Sequence, residues 1–279
     1  MRGPRWRSLI NVLLALLYPL RPRRVAGVPG LAVAVMAYWI SRRDAAAFFP
    51  PVESARRRPE GLVAVGGGLD ADLLLRAYRE GIYPHCHLRP MKWWAPAQRM
   101  VLFPDELHVG KTLGRVLRQG TYTVSFDRAF RDVIAGCAEP RANQTPLTWI
   151  SRDVMEAYCR LHDLGHAHSV EVWAADGRLA GGLYGVAIGG VFFAESQFAR
   201  ERDTSKVALT ALCRHWVALG GRLVDCKQPS PHLTTLGARL IPRATFTAIL
   251  HAARELAVPP APWDVDVAPD SFYPRPRGS

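Results

Sequence analysis

The sequence predicts an α+β protein, with a large C-terminal mixed sheet packed by helices and a smaller α+β domain before it. Three observations carry this. Short β-branched and aromatic runs are bounded by turn residues, as at residues 191–193 after Gly189-Gly190. Apolar residues at helical spacing separate those runs, most clearly over residues 204–219, where Leu209, Leu212, Cys213 and Trp216 recur and Thr210 and Arg214 lie on the other side. The chain has 279 residues, 49% hydrophobic and 22% charged, an ordinary globular composition for one large domain or two smaller ones. The expected divisions are a basic and apolar extension outside the fold at residues 1–43, the small domain at 44–105, the large-sheet domain at 106–264 and a flexible tail at 265–279.

The charge is less ordinary. A formal net charge of +12 points to nucleic acid or an anionic membrane surface as partner, without choosing between them. Five scattered cysteines with no CxxC pair read as reduced thiols of a cytoplasmic protein, not as a disulfide or zinc framework. Residues 1–43 hold eight arginines and no acid, around apolar runs at 9–20 and 25–40. Each run is shorter than the roughly 20 residues a spanning helix needs. The favoured reading is a chain start near Met36, and a membrane-contacting arm is the alternative. A monomer is expected.

The elements follow in order. Gly66-Gly67-Gly68 precedes a helix at 73–80 capped by Asp70, and lacks the Lys and Ser/Thr of a phosphate loop, so it reads as a turn. Trp93-Trp94 is a core corner or a base-stacking platform, with the core favoured. Strands are expected at 99–103 and 122–126, and helices at 109–118, 129–137 and 154–164. His162, His166 and His168 invite a metal reading, but Gly165 breaks the helix between them and no ligand spacing is complete. Residues 169–173, 179–187 and 191–195 form a meander joined by Asp176-Gly177 and Gly189-Gly190. A strand at 222–226, a short helix within 229–236, an apolar pair at 240–241 and a helix at 244–256 follow. From residue 258 the chain wraps or frays.

Two carboxylates, Glu195 and Asp225, thus fall near the ends of two strands that share one helix. Strand, strand, helix, strand with a cleft between splayed strands is the layout of the N-acetyltransferase superfold, which by itself fixes no function. Binding of a coenzyme A pyrophosphate calls for glycine at the start of the helix after the central strand, and residues 191–219 contain none. The loop there is Gln197-Phe198-Ala199-Arg200-Glu201-Arg202, whose arginines suit a different anionic carrier.

A more specific resemblance runs in order from about residue 48 to about residue 256. It comprises Gly66-Gly67, Gly81-Ile82 with Pro84, Trp93-Trp94 with Pro96, Thr148-Trp149-Ile150, Leu164-Gly165-His166-Ala167-His168-Ser169, Gly181-Gly182 with Tyr184-Gly185, Glu195-Ser196 with Phe198, Ser205-Lys206, Asp225-Cys226, and His232 with Leu236-Gly237-Ala238. Together these resemble the leucyl/phenylalanyl-tRNA–protein transferase family. The resemblance implies a cytoplasmic enzyme without metal or nucleotide cofactor. Such an enzyme moves leucine or phenylalanine from aminoacyl-tRNA to proteins beginning with Lys or Arg, marking them for degradation by the N-degron route. It implies an acetyltransferase-like catalytic domain and an apolar aminoacyl pocket at Trp149, Phe192 and Val224, with Leu183, Leu212 and Trp216 as further lining. Asp225 matches the acid suited to the acceptor amine and Glu195 the acid suited to the aminoacyl end. Arg200, Arg202, Lys206 and Arg214 are the expected tRNA contacts. Without the resemblance, the apolar set reads as core and Glu195 as a buried acid paired with an arginine.

Two departures fall on the site. Lys227 stands where the family has glutamine after Asp-Cys, and His85 where an aromatic residue, commonly tryptophan, follows the Gly-Ile-Phe-Pro stretch. An ammonium at Lys227 is expected to repel a cationic acceptor, unless Asp225 cancels it or the side chain turns away and Gln228 takes the amide's role. Rival readings are a same-fold transferase with another aminoacyl-tRNA or amine acceptor, and a catalytically altered tRNA-binding relative.

Overall fold

In the computed structural model, which describes residues 25–40, 48–140, 148–258, 263 and 266–267, the chain falls into two units. One comprises Met1–Ala97 with Ala138–Ser151, the other Gln98–Cys137 with Arg152–Ser279.

The smaller unit contains helix α1 (Val28–Ile40), strand β1 (Leu62–Val65), helix α2 (Ala71–Arg79), strand β2 (Tyr83–Pro84) and strand β3 (Lys92–Trp94). Its antiparallel sheet has the order β1-β3-β2. Asp70 caps α2 by accepting from the Leu73 N–H at 2.9 Å. Gly66 and Gly67 take φ values of +97° and +74°, the backbone of a turn that glycine alone adopts readily. The Trp93 indole is fully buried against Phe48 and Phe49 and donates to the Gly66 carbonyl, so the core reading holds for it. Helix α1 buries Ala34 against Leu62 and Val65. Residues 28–40 of the expected extension thus pack in the smaller unit, and residues 1–24 and 41–47 lie outside the described residues.

The larger unit is an eight-stranded sheet with helices. Its elements are β4 (Gln98–Leu102), α3 (Lys111–Gln119), β5 (Tyr122–Phe126), α4 (Phe130–Ala138), α5 (Arg152–Asp163), β6 (Ala167–Ala174), β7 (Leu179–Ile188) and β8 (Val191–Ala199). There follow α6 (Thr204–Ala218), β9 (Leu223–Lys227), α7 (Pro231–Thr234), β10 (Arg239–Pro242), α8 (Arg243–Ala253) and β11 (Asp266–Val267). The strand order is β10-β4-β9-β8-β7-β6-β5-β11, antiparallel except for β8 beside β9. The predicted boundary at residue 105 moves to Ala97/Gln98, because β4 finds its partners in β9 and β10. Phe192, Leu212, Trp216 and Val224 join one buried core with residues of β5, β6 and α3. Gly185 of β7 makes room for it, since a Cβ there would stand 2.4 Å from the Phe192 ring.

Trp263 is tied into that core. Trp263 is buried, stacks on His168 with ring centroids 3.7 Å apart, and its N–H donates to Asp127 Oδ2 at 2.9 Å. Asp127 also accepts from the Ser169 N–H and contacts His168 Nδ1. Burial disfavours its charge, but these hydrogen bonds outweigh burial and hold the carboxyl below the usual aspartate range. Asp266 and Val267, within the expected tail, pair with Ser125 and Val124. His162 stacks on Phe130 and contacts the Ala167 carbonyl, so this histidine also has protein partners.

Because the folded Asp127 carboxyl is depressed, its contribution to stability is present above the unfolded aspartate value, about 3.9, and is lost as pH falls through the lower folded value. Asp127→Asn is expected to lower stability by about 1–3 kcal/mol at neutral pH, with a deficit that narrows at acid pH, in urea unfolding across pH.

Candidate active site

Strands β8 and β9 run parallel with Val191 beside Leu223, Phe192 beside Val224 and Phe193 beside Asp225, and their pairing ends there. Helix α6 is the crossover that joins them. Past Phe193, β8 continues to Ala199 with β7 as its strand partner, while β9 continues to Lys227 paired with β4. The two strands fork, and Glu195 and Asp225 stand at the fork.

Each strand is bulged there. Tyr184 and Gly185 of β7 face Ser196 and Ala194, which leaves Glu195 as the extra residue of β8. Val101 and Met100 of β4 face Asp225 and Lys227, which leaves Cys226 as the extra residue of β9. A bulge bends its strand and re-aims the neighbouring side chains, as a fork needs. Lys227 takes φ +63°, unusual for a residue with a side chain, and its N–H donates to Asp225 Oδ1 at 2.9 Å.

The charges at the fork are buried in two pairs. Arg99 of β4 grips Asp225 in bidentate fashion, Nε to Oδ1 at 2.7 Å and Nη2 to Oδ2 at 2.8 Å, and lies over the Phe246 ring. Both side chains are at most 1% exposed. Lys227 Nζ crosses the fork to Glu195 Oε1 at 2.5 Å and the Ala194 carbonyl at 2.8 Å. The Tyr158 hydroxyl donates to Glu195 Oε2 at 3.2 Å. The Lys227 ammonium is therefore paired with Glu195, while the Arg99 guanidinium pairs with Asp225. Gln228 is exposed, with its N–H bonded to the Cys226 carbonyl. Loss of solvation and the Asp225 charge push the Cys226 thiol up to about 12, so it stays protonated at neutral pH and is a poor nucleophile.

Of the apolar set, Leu183, Phe192, Leu212, Trp216 and Val224 are brought together in the core of the larger unit, each at most 1% exposed. Trp149 belongs to the smaller unit, where its ring lies 5.4 Å from that of His85. Arg200, Arg202 and Arg214 are exposed around α6, and Lys206 is held by Asp203 at 2.6 Å. Sequence reasoning missed Arg99 and Tyr158. Arg99 lies 126 residues from its partner and Tyr158 37 from its own, so no local spacing marks either. Among the described residues no group of three or more metal-ligating side chains is assembled.

The family model described as "Leucyl/phenylalanyl-tRNA protein transferase" matches residues 101–251, and that of its N-terminal domain matches residues 67–97. A protein of that name from Stutzerimonas stutzeri is 49% identical over 216 residues, 77% of this chain and 94% of its own length. The chain belongs to the leucyl/phenylalanyl-tRNA protein transferase family. A further member, from Chromohalobacter salexigens, is 54% identical over 199 residues, 71% of this chain and 77% of its own. Among solved structures, a GCN5-related N-acetyltransferase from Sphaerobacter thermophilus is similar at TM-score 0.30 and 15% identity, over 66% of this chain and 58% of that one. A functionally unknown conserved protein from Staphylococcus epidermidis is similar at TM-score 0.37 and 10% identity, over 65% and 68%. These two likenesses are too slight to bear on function.

Removing one member of a buried ion pair strands the other. Arg99→Met is expected to lower stability by about 3–5 kcal/mol in urea unfolding, whereas Arg99→Met with Asp225→Leu recovers most of that loss. Cys226→Ala is expected to leave activity within a few-fold of the unaltered protein in a transfer assay.

Proposed function

We propose that this chain is an aminoacyl-tRNA–protein transferase that moves a leucyl or phenylalanyl group from tRNA to the N terminus of a protein. The observation that carries this reading is membership of the family over most of the length of its relatives. The reaction is aminolysis of an ester. The acceptor's α-amine attacks the aminoacyl carbonyl, a C–N bond forms, and the C–O bond to the ribose of the tRNA breaks. The amine loses a proton and the departing hydroxyl gains one.

The geometry supports distinct roles for the two acids. Asp225 is a positioning residue: its oxygens are taken by Arg99 and the Lys227 N–H, so it acts by fixing the bulge from which Lys227 reaches across. Glu195 and Lys227 form the polar element of the fork, the site proposed for the reacting ester and amine. Leu183, Phe192, Leu212, Trp216 and Val224 are proposed as the apolar floor for the leucyl or phenylalanyl side chain, and the His85–Trp149 ring pair as a face for stacking. Arg200, Arg202 and Arg214, with Lys206, are proposed to meet tRNA phosphates. Among the described residues no helix is long and apolar enough to cross a membrane.

Lys227 bears on acceptor choice. With glutamine in its place, Glu195 would meet the acceptor without a fixed ammonium beside it. Freed of Lys227, the Glu195 carboxylate would attract a cationic N-terminal residue by about 1–4 kcal/mol at close range. Lys227→Gln is therefore expected to raise transfer to Arg- and Lys-initiated peptides several-fold relative to neutral ones, with labelled leucine or phenylalanine on tRNA as donor. An unchanged acceptor profile would make the lysine a bystander, and no transfer from either charged tRNA by the unaltered protein would overturn the function itself. Binding of tRNA is expected to weaken steeply with salt, with a logarithmic slope near −0.7 per phosphate contact as for single strands. Charge reversal at Arg200 and Arg202 should flatten that slope.

A further inference from the structure

Helix α1 lies before the region that the family models match, and the proposed reaction gives it no work. Its sequence VPGLAVAVMAYWI contains no charged residue. One side is held in the smaller unit, with Ala34 buried against Leu62 and Val65, and Leu31, Val35 and Tyr38 partly buried beside them. The other side faces solvent with Pro29, Ala32, Val33, Met36 and Ala37, the i, i+3, i+4, i+7, i+8 stripe of a helix. Every one of those exposed side chains is apolar. Val33 is 51% and Met36 59% exposed, where a soluble surface helix ordinarily presents polar groups.

A second observation says what such a face meets. The segment beside the first turns of α1 is Arg56-Arg57-Arg58, and all three arginines are exposed. It lies in direct contact with the helix: a Cβ added at Gly30 would stand 2.1 Å from the Arg58 carbonyl oxygen, and one at Gly27 would stand 3.0 Å from Pro59. Those glycines let helix and arginine segment lie flush. Glu53 and Glu60 flank the segment, and the Glu60 carboxylate already accepts from the Ala97 N–H. Residues 1–43 add eight arginines and no acid in sequence. A partner that takes an apolar helix face and guanidinium groups side by side is a lipid surface with negative headgroups. Thirteen residues at about 1.5 Å each give about 20 Å, short of the roughly 30 Å hydrocarbon core, so the helix suits lying in the interface.

We propose that the exposed face of α1, with Arg56, Arg57 and Arg58 beside it, docks this protein onto an anionic phospholipid bilayer. Val33 and Met36 enter the boundary of the acyl chains while the arginines meet the phosphates. The docking is peripheral and reversible, and it is weakened by salt through its arginine share.

The test is flotation of the full-length protein with vesicles of phosphatidylcholine, with and without phosphatidylglycerol. The protein is expected to float with the phosphatidylglycerol vesicles and to stay behind with phosphatidylcholine alone. V33D/M36D should lower the partition by about tenfold or more. R56S/R57S/R58S should lower it and reduce its dependence on salt. Transfer activity of V33D/M36D without vesicles should match the unaltered protein, which separates failure of this proposal from failure of the proposed reaction. Absence of flotation, or flotation of V33D/M36D equal to that of the unaltered protein, would overturn the proposal. So would self-association that V33D/M36D abolishes in the absence of flotation, which would assign the face to a second copy.

Discussion

The fork between β8 and β9 depends on two buried ion pairs, Arg99 with Asp225 and Lys227 with Glu195. Parallel strands that part in mid-sheet leave charged and polar groups away from water, and each must find a partner or be stranded at a cost of several kcal/mol. The first pair lies between β4 and β9 and fixes the end of β9. The second spans the opening itself. The bulges at Glu195 and Cys226 make both pairings geometrically available, because a regular strand would alternate these side chains without re-aiming them.

This arrangement connects sequence to chemistry by a short chain of causes. Gly185 admits the Phe192 ring, and Phe192 packs on Trp216 of α6, with ring centroids 5.7 Å apart. The core so formed holds β8 and β9 in register up to Phe193 and Asp225, the last pair before they part. The core residues Phe192 and Val224 therefore immediately precede a buried, charge-balanced fork. That combination is the basis of the proposed roles, an apolar aminoacyl group below and an amine choice set by Lys227 above.

Much of this was legible in the sequence. Glycine pairs and β-branched runs placed the meander of β6, β7 and β8, the spacing of Leu209, Leu212 and Trp216 placed α6, and the order of motifs pointed to the family. The missing parts depend on long-range contacts. Sequence pattern names Asp225 as an acid but says nothing of Arg99, which precedes it by 126 positions and meets it only because β4 lies between β9 and β10. The bulges have no local signature, so the sequence offers Asp225 or a side chain turned away as alternatives for Lys227 and does not reveal Glu195 as its partner. Trp263 falls in a proline-rich stretch that reads as tail, yet His168 and Asp127 supply it a stacking surface and an acceptor. Helix α1 was set outside the fold on composition, and small residues such as Ala34 and Gly30 bring it onto β1 and the arginine segment.

The central claim is that Glu195 and Lys227 act as one unit across the fork, and a double-mutant cycle tests it most directly. Transfer efficiency to an Arg-initiated peptide would be measured for the unaltered protein, Glu195→Gln, Lys227→Gln and the double variant. Partners in direct contact are predicted to show a coupling of about 1 kcal/mol or more. Effects that simply add would mean that the two side chains act independently, and would contradict the account.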